Sequence, residues 1–309
     1  MSTIFISIAS YCDPLLKSTI EDALDNARYP DELRFGVVEQ SKVSYLPDIK
    51  KNIRHLLVDP KQSRGACWAR ASVMNMYGDE DWFFQIDAHT IFDKHWDACL
   101  QGAWADCSRV SKKPYIAGYP HPYKIENGNV TKEKYTEGVI VSVVSKDKNF
   151  GEKYIDLPFT SIFSNSTRPI EGFHLAAGCI FAPGSFVYEL PYDPFIYFYG
   201  EEPLLALRAY THGWDLFHIP KLPVYHYYDT GNIEIKRARH WAEEDDSERS
   251  EHWWEFNNRA NSRMTDIIHG KDFGVYGLGK ERTIQQYAEF SGIDYINKTL
   301  QPKAYTGRV

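Results

Sequence analysis

Asp87 and His89 are the residues of the 309-residue chain whose types and spacing first suggest chemistry. They end an apolar run that begins at Trp82, and one residue separates them. In an extended strand, residues i and i+2 point the same way, so both side chains can face one ion. A carboxylate and an imidazole suit Mn²⁺ or another divalent cation that also takes phosphate oxygens. Alternatively, Asp87 caps a turn and His89 is an ordinary surface histidine.

Three further candidates lie much later in the chain. Glu201 and Glu202 open a predicted helix directly after an aromatic run. Their carboxylates either compensate the helix dipole, or hold an acceptor hydroxyl and stabilise developing charge in a cleft. His226 follows a predicted short strand and is either a third metal ligand or a core histidine.

Two groups of basic residues are candidates for binding phosphate. Arg64 and Arg70 flank a glycine at a predicted helix start, where a helix N-terminus and an arginine can hold an anion. Lys236, Arg237 and Arg239 place three cations within four residues, which can grip a diphosphate or form a solvated charged surface. The chain has no GxGxxG or P-loop motif, and no GxSxG or Cys-His nucleophile signature.

Alternating strands and helices in the first hundred or so residues must position these groups. Strands are predicted at 4–11, 33–40, 53–60 and 81–92. A helix that Asp13 caps follows the first strand, a helix at 65–78 follows the third, and a helix at 94–108 follows the fourth. This alternation predicts an α/β fold with a mostly parallel, twisted, Rossmann-like sheet and helices on both faces. Ligands in such sheets bind at the carboxyl ends of the strands, where Asp87 and His89 would lie.

The rest of the chain is less regular. The pattern of residues 110–170 indicates hairpins and loops. A predicted pair of short strands precedes His226. From about residue 231 the composition turns polar, and a helix at about 281–290 is expected to stop at Gly292. We therefore expect a C-terminal extension that packs on the main domain.

Composition and charge narrow the class of protein. With 43% hydrophobic residues and a net charge of −7, the chain predicts a globular protein with no overall attraction for nucleic acid or an anionic membrane. The five cysteines are scattered, odd in number and without a CxxC, which predicts reduced thiols in a cytoplasmic protein and no zinc site. No segment has the pattern of a signal peptide or a membrane-spanning helix, so we expect no membrane span.

The order of these features resembles a known family. A strand-borne D-x-H, a Gly-Glu-Glu helix and a late histidine after a strand form the layout of metal-dependent glycosyltransferases with the GT-A fold. More closely, the chain is similar to the polypeptide α-N-acetylglucosaminyltransferases that modify hydroxyproline or Ser/Thr. The matching stretches follow the family's order over almost the whole chain: IFISIASYCDP, RGACWAR, FFQIDAHTIF, GEEPLLALRAYTHGWDLF, VYHYY, RARHW and YGLGKERTIQQYAEFSGIDY.

The resemblance implies a UDP-sugar donor, carrying GlcNAc or another hexose, held through a divalent cation, with Mn²⁺ preferred to Mg²⁺. Asp87, His89 and His226 fall on the metal positions. Glu201 and Glu202 fall on the acidic, catalytic helix start that faces the acceptor, which is a protein side-chain or glycan hydroxyl. The positions expected to hold the nucleotide or its diphosphate are Ser7, Ala9, Tyr11, Arg64, Arg70, Arg237, Arg239 and His240.

Family members of this type are expected to retain the α configuration of the sugar, and we predict a front-face route in which the leaving diphosphate takes the acceptor's proton. Two positions depart from the family pattern. Ala88 stands where Ser is usual, at a position that need not ligate a metal, and Cys12 replaces an arginine, which removes support for one phosphate contact. The predicted units are a GT-A-like domain at 1–230, with a nucleotide-sugar half at about 1–110 and an acceptor half at about 111–230, and an extension at 231–309.

Two other functions are compatible with the same residues. A metal-dependent phosphoester hydrolase would need more ligands, and the sequence offers no second clustered His/Asp motif. A non-catalytic carbohydrate-binding protein on the same fold is the other alternative, although the intact metal and glutamate positions argue against lost catalysis. The acidic net charge weighs against a nucleic-acid acceptor.

Overall fold

The computed structural model describes residues 2–46, 52–146, 148–151, 157–229, 234–242, 246–247 and 249–308, which form a mixed α/β fold. The strands are β1 (Ile4–Tyr11), β2 (Leu33–Gln40), β3 (Ile53–Val58), β4 (Trp82–Asp87), β5 (Thr90–Phe92), β6 (Pro114–Ala117), β7 (His121–Glu126), β8 (Asn129–Lys132), β9 (Val139–Val144), β10 (Phe159–Ser164), β11 (Ile170–Gly172), β12 (Cys179–Pro183), β13 (Asp215–His218), β14 (Val224–His226), β15 (Ile293–Asp294) and β16 (Thr299–Leu300). The α-helices are α1 (Leu16–Asn26), α2 (Ala66–Met74), α3 (Trp96–Cys107), α4 (Ser185–Glu189), α5 (Glu201–Thr211), α6 (Trp253–Ile268) and α7 (Ile284–Ser291).

An eight-stranded sheet forms the centre of the molecule, with the strand order β11-β13-β6-β12-β4-β1-β2-β3. Strands β4, β1, β2 and β3 are parallel, whereas β12 runs antiparallel between β4 and β6. Alternate residues of β1 point to opposite faces, so Phe5 packs in the core shared with α2 and α5, and Ile6 in the core shared with α1 and α3. The predicted α/β class, with a mostly parallel sheet covered on both faces, is confirmed.

The segment predicted as one strand at 81–92 is two strands in different sheets. Strand β4 ends at Asp87, and β5 begins at Thr90 in a four-stranded sheet of order β5-β14-β7-β8. The hydroxyl of Thr19 stabilises this break, since it donates to the carbonyl of Ala88 (2.9 Å) and accepts from the amide of Thr90 (2.9 Å). The chain therefore turns directly after Asp87, at the carboxyl end of a central strand.

The middle of the chain contains the predicted hairpins. Strands β7 and β8 join through Asn127 and Gly128, which both have positive φ (52° and 75°), as a tight hairpin turn requires. Strands β9 and β10 form a separate antiparallel pair.

Beyond residue 230, helix α6 packs through Ala260, Met264 and Ile267 on the core that α2 and α5 share. Helix α7 ends at Gly292, whose left-handed φ of 78° matches the predicted stop. The boundary at residue 230 stays a prediction, because 230–233 lie outside the described residues.

Cys67, Cys99, Cys107 and Cys179 form no disulfide bond among the described residues, and the reduced state of the thiols stays a prediction. Within the described ranges, no helix is both long and apolar enough to cross a bilayer. The cytoplasmic location stays a prediction.

Candidate active site

A cleft of about 650 Å³ opens at the carboxyl ends of β1 and β4. It is lined by all the predicted metal and catalytic residues: Asp87, His89, Glu201, Glu202 and His226. These residues come from positions up to 139 apart in the chain. The fold therefore gathers at one place the groups that the sequence presents separately.

Asp87, His89 and His226 form a compact cluster on one wall of this cleft. Their potential ligand atoms all lie within 4.8 Å of one another. Nε2 of His226 is 2.8 Å from Nε2 of His89 and 3.2 Å from Oδ2 of Asp87. Asp87 is the last residue of β4, and His226 is the last residue of β14, which pairs with β5 so that His226 lies opposite Thr90. The sheet pairing thus brings the third side chain to the turn that carries the first two.

The geometry of this cluster fits one metal ion. Two ligand atoms that each lie about 2.1 Å from an ion, at right angles, are about 3 Å apart, which matches the observed 2.8 and 3.2 Å. One carboxylate and two imidazoles are suitable ligands for Mn²⁺. Nδ1 of His226 is buried without a hydrogen-bond partner among the described residues, and it can carry the ring proton when Nε2 ligates.

Asp13 supports the cluster in a way that the sequence did not reveal. Its Oδ2 accepts a hydrogen bond from Nδ1 of His89 (2.7 Å), and its Oδ1 accepts from the amide of Leu15 (2.9 Å). The sequence predicts Asp13 only as the cap of α1. A carboxylate on the far nitrogen of a histidine fixes the ring tautomer and directs Nε2 toward a metal. The position of Asp13 in the sequence could have indicated this role. Asp13 follows β1, and Asp87 ends the neighbouring parallel strand β4.

The protonation of the cluster also suits metal binding. Burial by itself would raise the pKa of Asp87, but the hydrogen bond with His226 and the charge of Arg70 hold that pKa well below its usual range. Burial, together with the neighbouring His89, lowers the pKa of His226 to about 4. Near neutral pH, Asp87 is therefore ionised and His226 neutral, which are the forms that bind a cation.

Arg70 lies at the base of the cleft, between two carboxylates. Its Nη2 donates to Oδ1 of Asp87 (2.8 Å), and its Nη1 donates to Oε1 of Glu201 (2.5 Å) and to the carbonyl of Ala177 (3.0 Å). Only 6% of Arg70 is exposed. Arg70 was predicted to contact phosphate, but its charge is already engaged by these two acidic groups. Glu201, predicted as catalytic, is correspondingly held against Arg70, and burial raises its pKa despite that charge.

Glu202 is the more exposed of the two glutamates, with 29% of its side chain accessible against 5% for Glu201. Its Oε1 accepts from the amide of Ala177 (2.9 Å), and its Oε2 accepts from the hydroxyl of Tyr119 (2.9 Å) and lies 3.5 Å from Nε2 of His174. Burial would raise the pKa of Glu202, but these partners lower it below its ordinary value. The preceding Gly200 has a left-handed φ of 83°, and a Cβ there would overlap Met264, so the helix start requires glycine. Tyr119 and His174 were not predicted, since nothing in their local sequence marks them.

The basic segment at 234–242 also lines the cleft. Nη1 of Arg237 contacts Nε2 of His89, and both Arg237 and Arg239 form ion pairs with Asp229. Nδ1 of His240 is hydrogen bonded to the hydroxyl of Tyr197 (2.6 Å), and His240 is only 6% exposed. The three predicted residues of this segment therefore all line the cleft, although His240 is committed to a buried contact.

The remaining predicted nucleotide contacts divide into two groups. Ala9 and Tyr11 line the cleft at the end of β1. Ser7 lies deeper in the same strand and is fully buried, away from the described cleft lining, because the strand has entered the core there. Arg64 is exposed and also outside that lining.

The start of α2 differs from the predicted phosphate site. The carbonyl oxygen of Tyr197 accepts from the amide of Cys67 (3.5 Å), and a Cβ on Gly65 would come within 2.3 Å of the same oxygen. Tyr197 therefore covers the start of α2, where Arg64 and Arg70 were expected to hold an anion. A residue more than 120 positions away cannot be inferred from the local pattern.

The chain matches a known protein family over most of its length. A family model described as Glycosyltransferase (GlcNAc) matches residues 3–50 and 44–297, which include the whole cleft. No curated protein sequence matches the chain.

Solved structures with a similar fold include that of GalNAc-T7 with UDP, GalNAc and Mn²⁺, at 16% sequence identity and a TM-score of 0.54. The similarity covers 76% of this chain but only 45% of the GalNAc-T7 chain. The structure of S. aureus TarS residues 1–349 has 13% identity and a TM-score of 0.44, with 73% of this chain and 60% of that chain covered. The first likeness confirms the predicted GT-A fold.

Proposed function

Because the chain belongs to the Glycosyltransferase (GlcNAc) family, we propose that it moves a hexose, GlcNAc in the first instance, from a UDP-sugar to an acceptor hydroxyl. The acceptor is a protein side chain or a glycan. The observation that carries the proposal is the convergence of Asp87, His89 and His226 within 4.8 Å, in a cleft that Glu202 also lines.

In this proposal, Asp87, His89 and His226 hold a divalent cation, with Mn²⁺ preferred. When bound, such a cation neutralises the diphosphate of the donor and assists its departure. The GalNAc-T7 structure contains UDP, GalNAc and Mn²⁺ on a similar fold, which supports the choice of donor and metal.

The charge of the cleft supports the need for a cation. Among the described residues that line it are five carboxylates (Asp13, Asp87, Glu201, Glu202, Asp229) and three guanidinium groups (Arg70, Arg237, Arg239). Five negative and three positive charges leave an excess of two negative charges. A donor diphosphate would add more negative charge, so one divalent cation makes donor binding electrostatically feasible.

Glu202 has the geometry to orient a hydroxyl group. Both of its oxygens already accept hydrogen bonds, from Ala177 and Tyr119, so its position is fixed. Such a carboxylate can accept a further hydrogen bond from a sugar or acceptor hydroxyl, and this role fits it better than that of a nucleophile.

The proposed transfer retains the α configuration by a front-face route. The acceptor oxygen bonds to the anomeric carbon on the side from which the diphosphate leaves, as the carbon–oxygen bond to the diphosphate breaks. The acceptor's proton passes to the departing diphosphate oxygen. Arg237 lines the cleft as a candidate to neutralise charge on that oxygen.

The test is UDP release by the full chain supplied separately with UDP-GlcNAc, UDP-GalNAc and UDP-glucose, with Mn²⁺, with Mg²⁺ and with EDTA. We expect release from one donor that requires the cation and is lost in Asp87→Ala. Release that EDTA leaves unchanged would contradict the metal assignment. Hydrolysis of p-nitrophenyl phosphate without UDP release would instead support the phosphoester hydrolase. The anomeric configuration of the product, from proton NMR couplings, tests retention.

A further inference from the structure

Arg237 points into the cluster proposed to bind the metal. Its Nη1 contacts Nε2 of His89, the atom that would ligate the cation. Nδ1 of His89 carries the ring proton and donates a hydrogen bond to Oδ2 of Asp13. The available lone pair of the ring is therefore on Nε2. A lone pair that accepts from a guanidinium cannot coordinate an ion at the same time.

The rest of the Arg237 side chain is anchored independently of His89. Nε and Nη2 both donate to Oδ1 of Asp229, at 3.1 and 2.7 Å, and Nη2 also donates to the carbonyl of Tyr227 (3.0 Å). The side chain is only 11% exposed. Nη1 can therefore leave His89 while the guanidinium stays attached to Asp229.

From these contacts we infer that Arg237 takes the place of the cation in the metal-free protein and competes with the metal for His89. This inference rests on the proposed function, since it takes Asp87, His89 and His226 as metal ligands. In the absence of metal, the positive charge of Arg237 offsets the negative charge of the carboxylates that line the cleft. A bound metal would release Nη1 from His89 and leave it available as a hydrogen-bond donor. Arg237 should thus oppose metal binding even though it is a candidate to assist turnover.

Arg239 provides a charge-matched comparison in the same segment. It forms an ion pair with the other oxygen of Asp229 (Oδ2, 3.0 Å), but its side chain is 47% exposed. Its described hydrogen bonds both go to this oxygen of Asp229. Removing its charge therefore tests the general electrostatic effect without releasing His89.

The experiment measures Mn²⁺ affinity in titrations of the full chain without donor or acceptor. Electron paramagnetic resonance gives the concentration of unbound Mn²⁺ at each step. Arg237→Gln removes the charge and the contact, whereas Arg237→Lys keeps the charge but lacks the planar fork that joins Asp229 to His89. We expect both variants to bind Mn²⁺ about tenfold more tightly than wild type, the effect of losing one charge-assisted hydrogen bond. Arg239→Gln should stay within about threefold of wild type, as expected for an exposed charge.

Unchanged or weaker Mn²⁺ binding in both Arg237 variants would overturn the inference. So would equal tightening in Arg237→Gln and Arg239→Gln with no change in Arg237→Lys, because that pattern reports charge alone. If wild type binds Mn²⁺ and His89→Ala does not, either of these results leaves the proposed function intact. If wild type binds no Mn²⁺, the metal assignment fails, and the inference fails with it. Thermal unfolding of each variant verifies that it is folded.

Discussion

Arg70 and Asp87 form an ion pair that orients the carboxylate: Nη2 lies 2.8 Å from Oδ1, while Oδ2 faces His226. Oδ1 of Asp87 is therefore held by Arg70, and Oδ2 is directed toward His226, the other end of the proposed metal site. Arg70 is thus a positioning residue for a proposed ligand of the cation, and its Nη1 holds a second carboxylate, that of Glu201.

Replacement of Arg70 by Met should strongly destabilise the protein, because it leaves the buried Glu201 without its counter-charge. Breaking one side of a buried ion pair costs about 3–5 kcal/mol. Urea unfolding measures the change, and Arg70→Met combined with Glu201→Gln should recover part of it. As a control, Arg259→Met breaks an exposed ion pair with Glu251 and should cost less than about 1 kcal/mol. Equal losses in the Arg70 and Arg259 variants would contradict the role assigned to Arg70.

Replacement of Asp13 by Asn should weaken metal binding with little effect on the fold. The asparagine carbonyl can still accept from the amide of Leu15, but its NH₂ group cannot accept the Nδ1 proton of His89. Loss of such a partner costs about 10–100-fold in metal affinity or activity. The dependence of UDP release on Mn²⁺ concentration measures the effect. An Asp13→Asn protein with the wild-type Mn²⁺ requirement would show that His89 needs no such orientation.

Replacement of Glu202 by Gln should lower kcat and leave Mn²⁺ affinity unchanged. The substitution keeps the shape of the side chain but removes the charge that accepts hydrogen bonds from substrate hydroxyls. We expect a loss on the order of 10²–10³-fold, as for other fixed polar groups in active sites. Tyr119→Phe, which deletes only one hydrogen bond to Glu202, should have a much smaller effect. A Glu202→Gln enzyme with normal kcat would remove Glu202 from the mechanism.

Acid should destabilise the protein through His218, which lies outside the cleft lining described above. Its Nδ1 donates to the carbonyl of Ala117 (2.7 Å), and its Nε2 accepts from the amide of Ser142 (3.4 Å), so an added proton would face another donor. Burial lowers the pKa of His218 from 6.5 to about 4. Between these values the unfolded chain binds the proton and the folded chain does not, so stability falls as pH falls from about 7 to about 4.

The contribution of His218 to this loss amounts to about 3 kcal/mol. His218→Asn removes the titration, so its free energy of unfolding should fall less than that of wild type between these two pH values. Urea unfolding near pH 7 and near pH 4 measures both proteins. The same pH dependence in both would exclude His218 as a source of acid sensitivity.

The convergence of Asp87, His89 and His226 was the most predictable part of the site. Asp87 and His89 end a strong strand pattern, and the topology of an α/β sheet places such an end at the ligand site. The turn between β4 and β5 was not predicted, because it depends on the hydroxyl of Thr19, which lies 69 residues from Ala88.

The basic residues were harder to assign, since a charge pattern does not reveal its partner. Arg64, Arg70 and Arg237 all looked suitable for phosphate. In the fold, Arg70 pairs with two carboxylates, Arg64 lies outside the cleft lining, and Arg237 contacts His89, a proposed metal ligand. Each outcome depends on long-range packing that local sequence does not encode.

The pairing of β5 with β14 has a consequence for how the protein resists unfolding. His89 and His226 are 137 residues apart, and in a disordered chain the entropy of closing a loop of that length opposes their meeting by roughly 4 kcal/mol. In the folded protein, the strand pairing has already closed this loop. A cation held as proposed would bind the native chain far more tightly than the unfolded one, so thermal unfolding and metal release would occur as a single event whose midpoint rises with cation concentration.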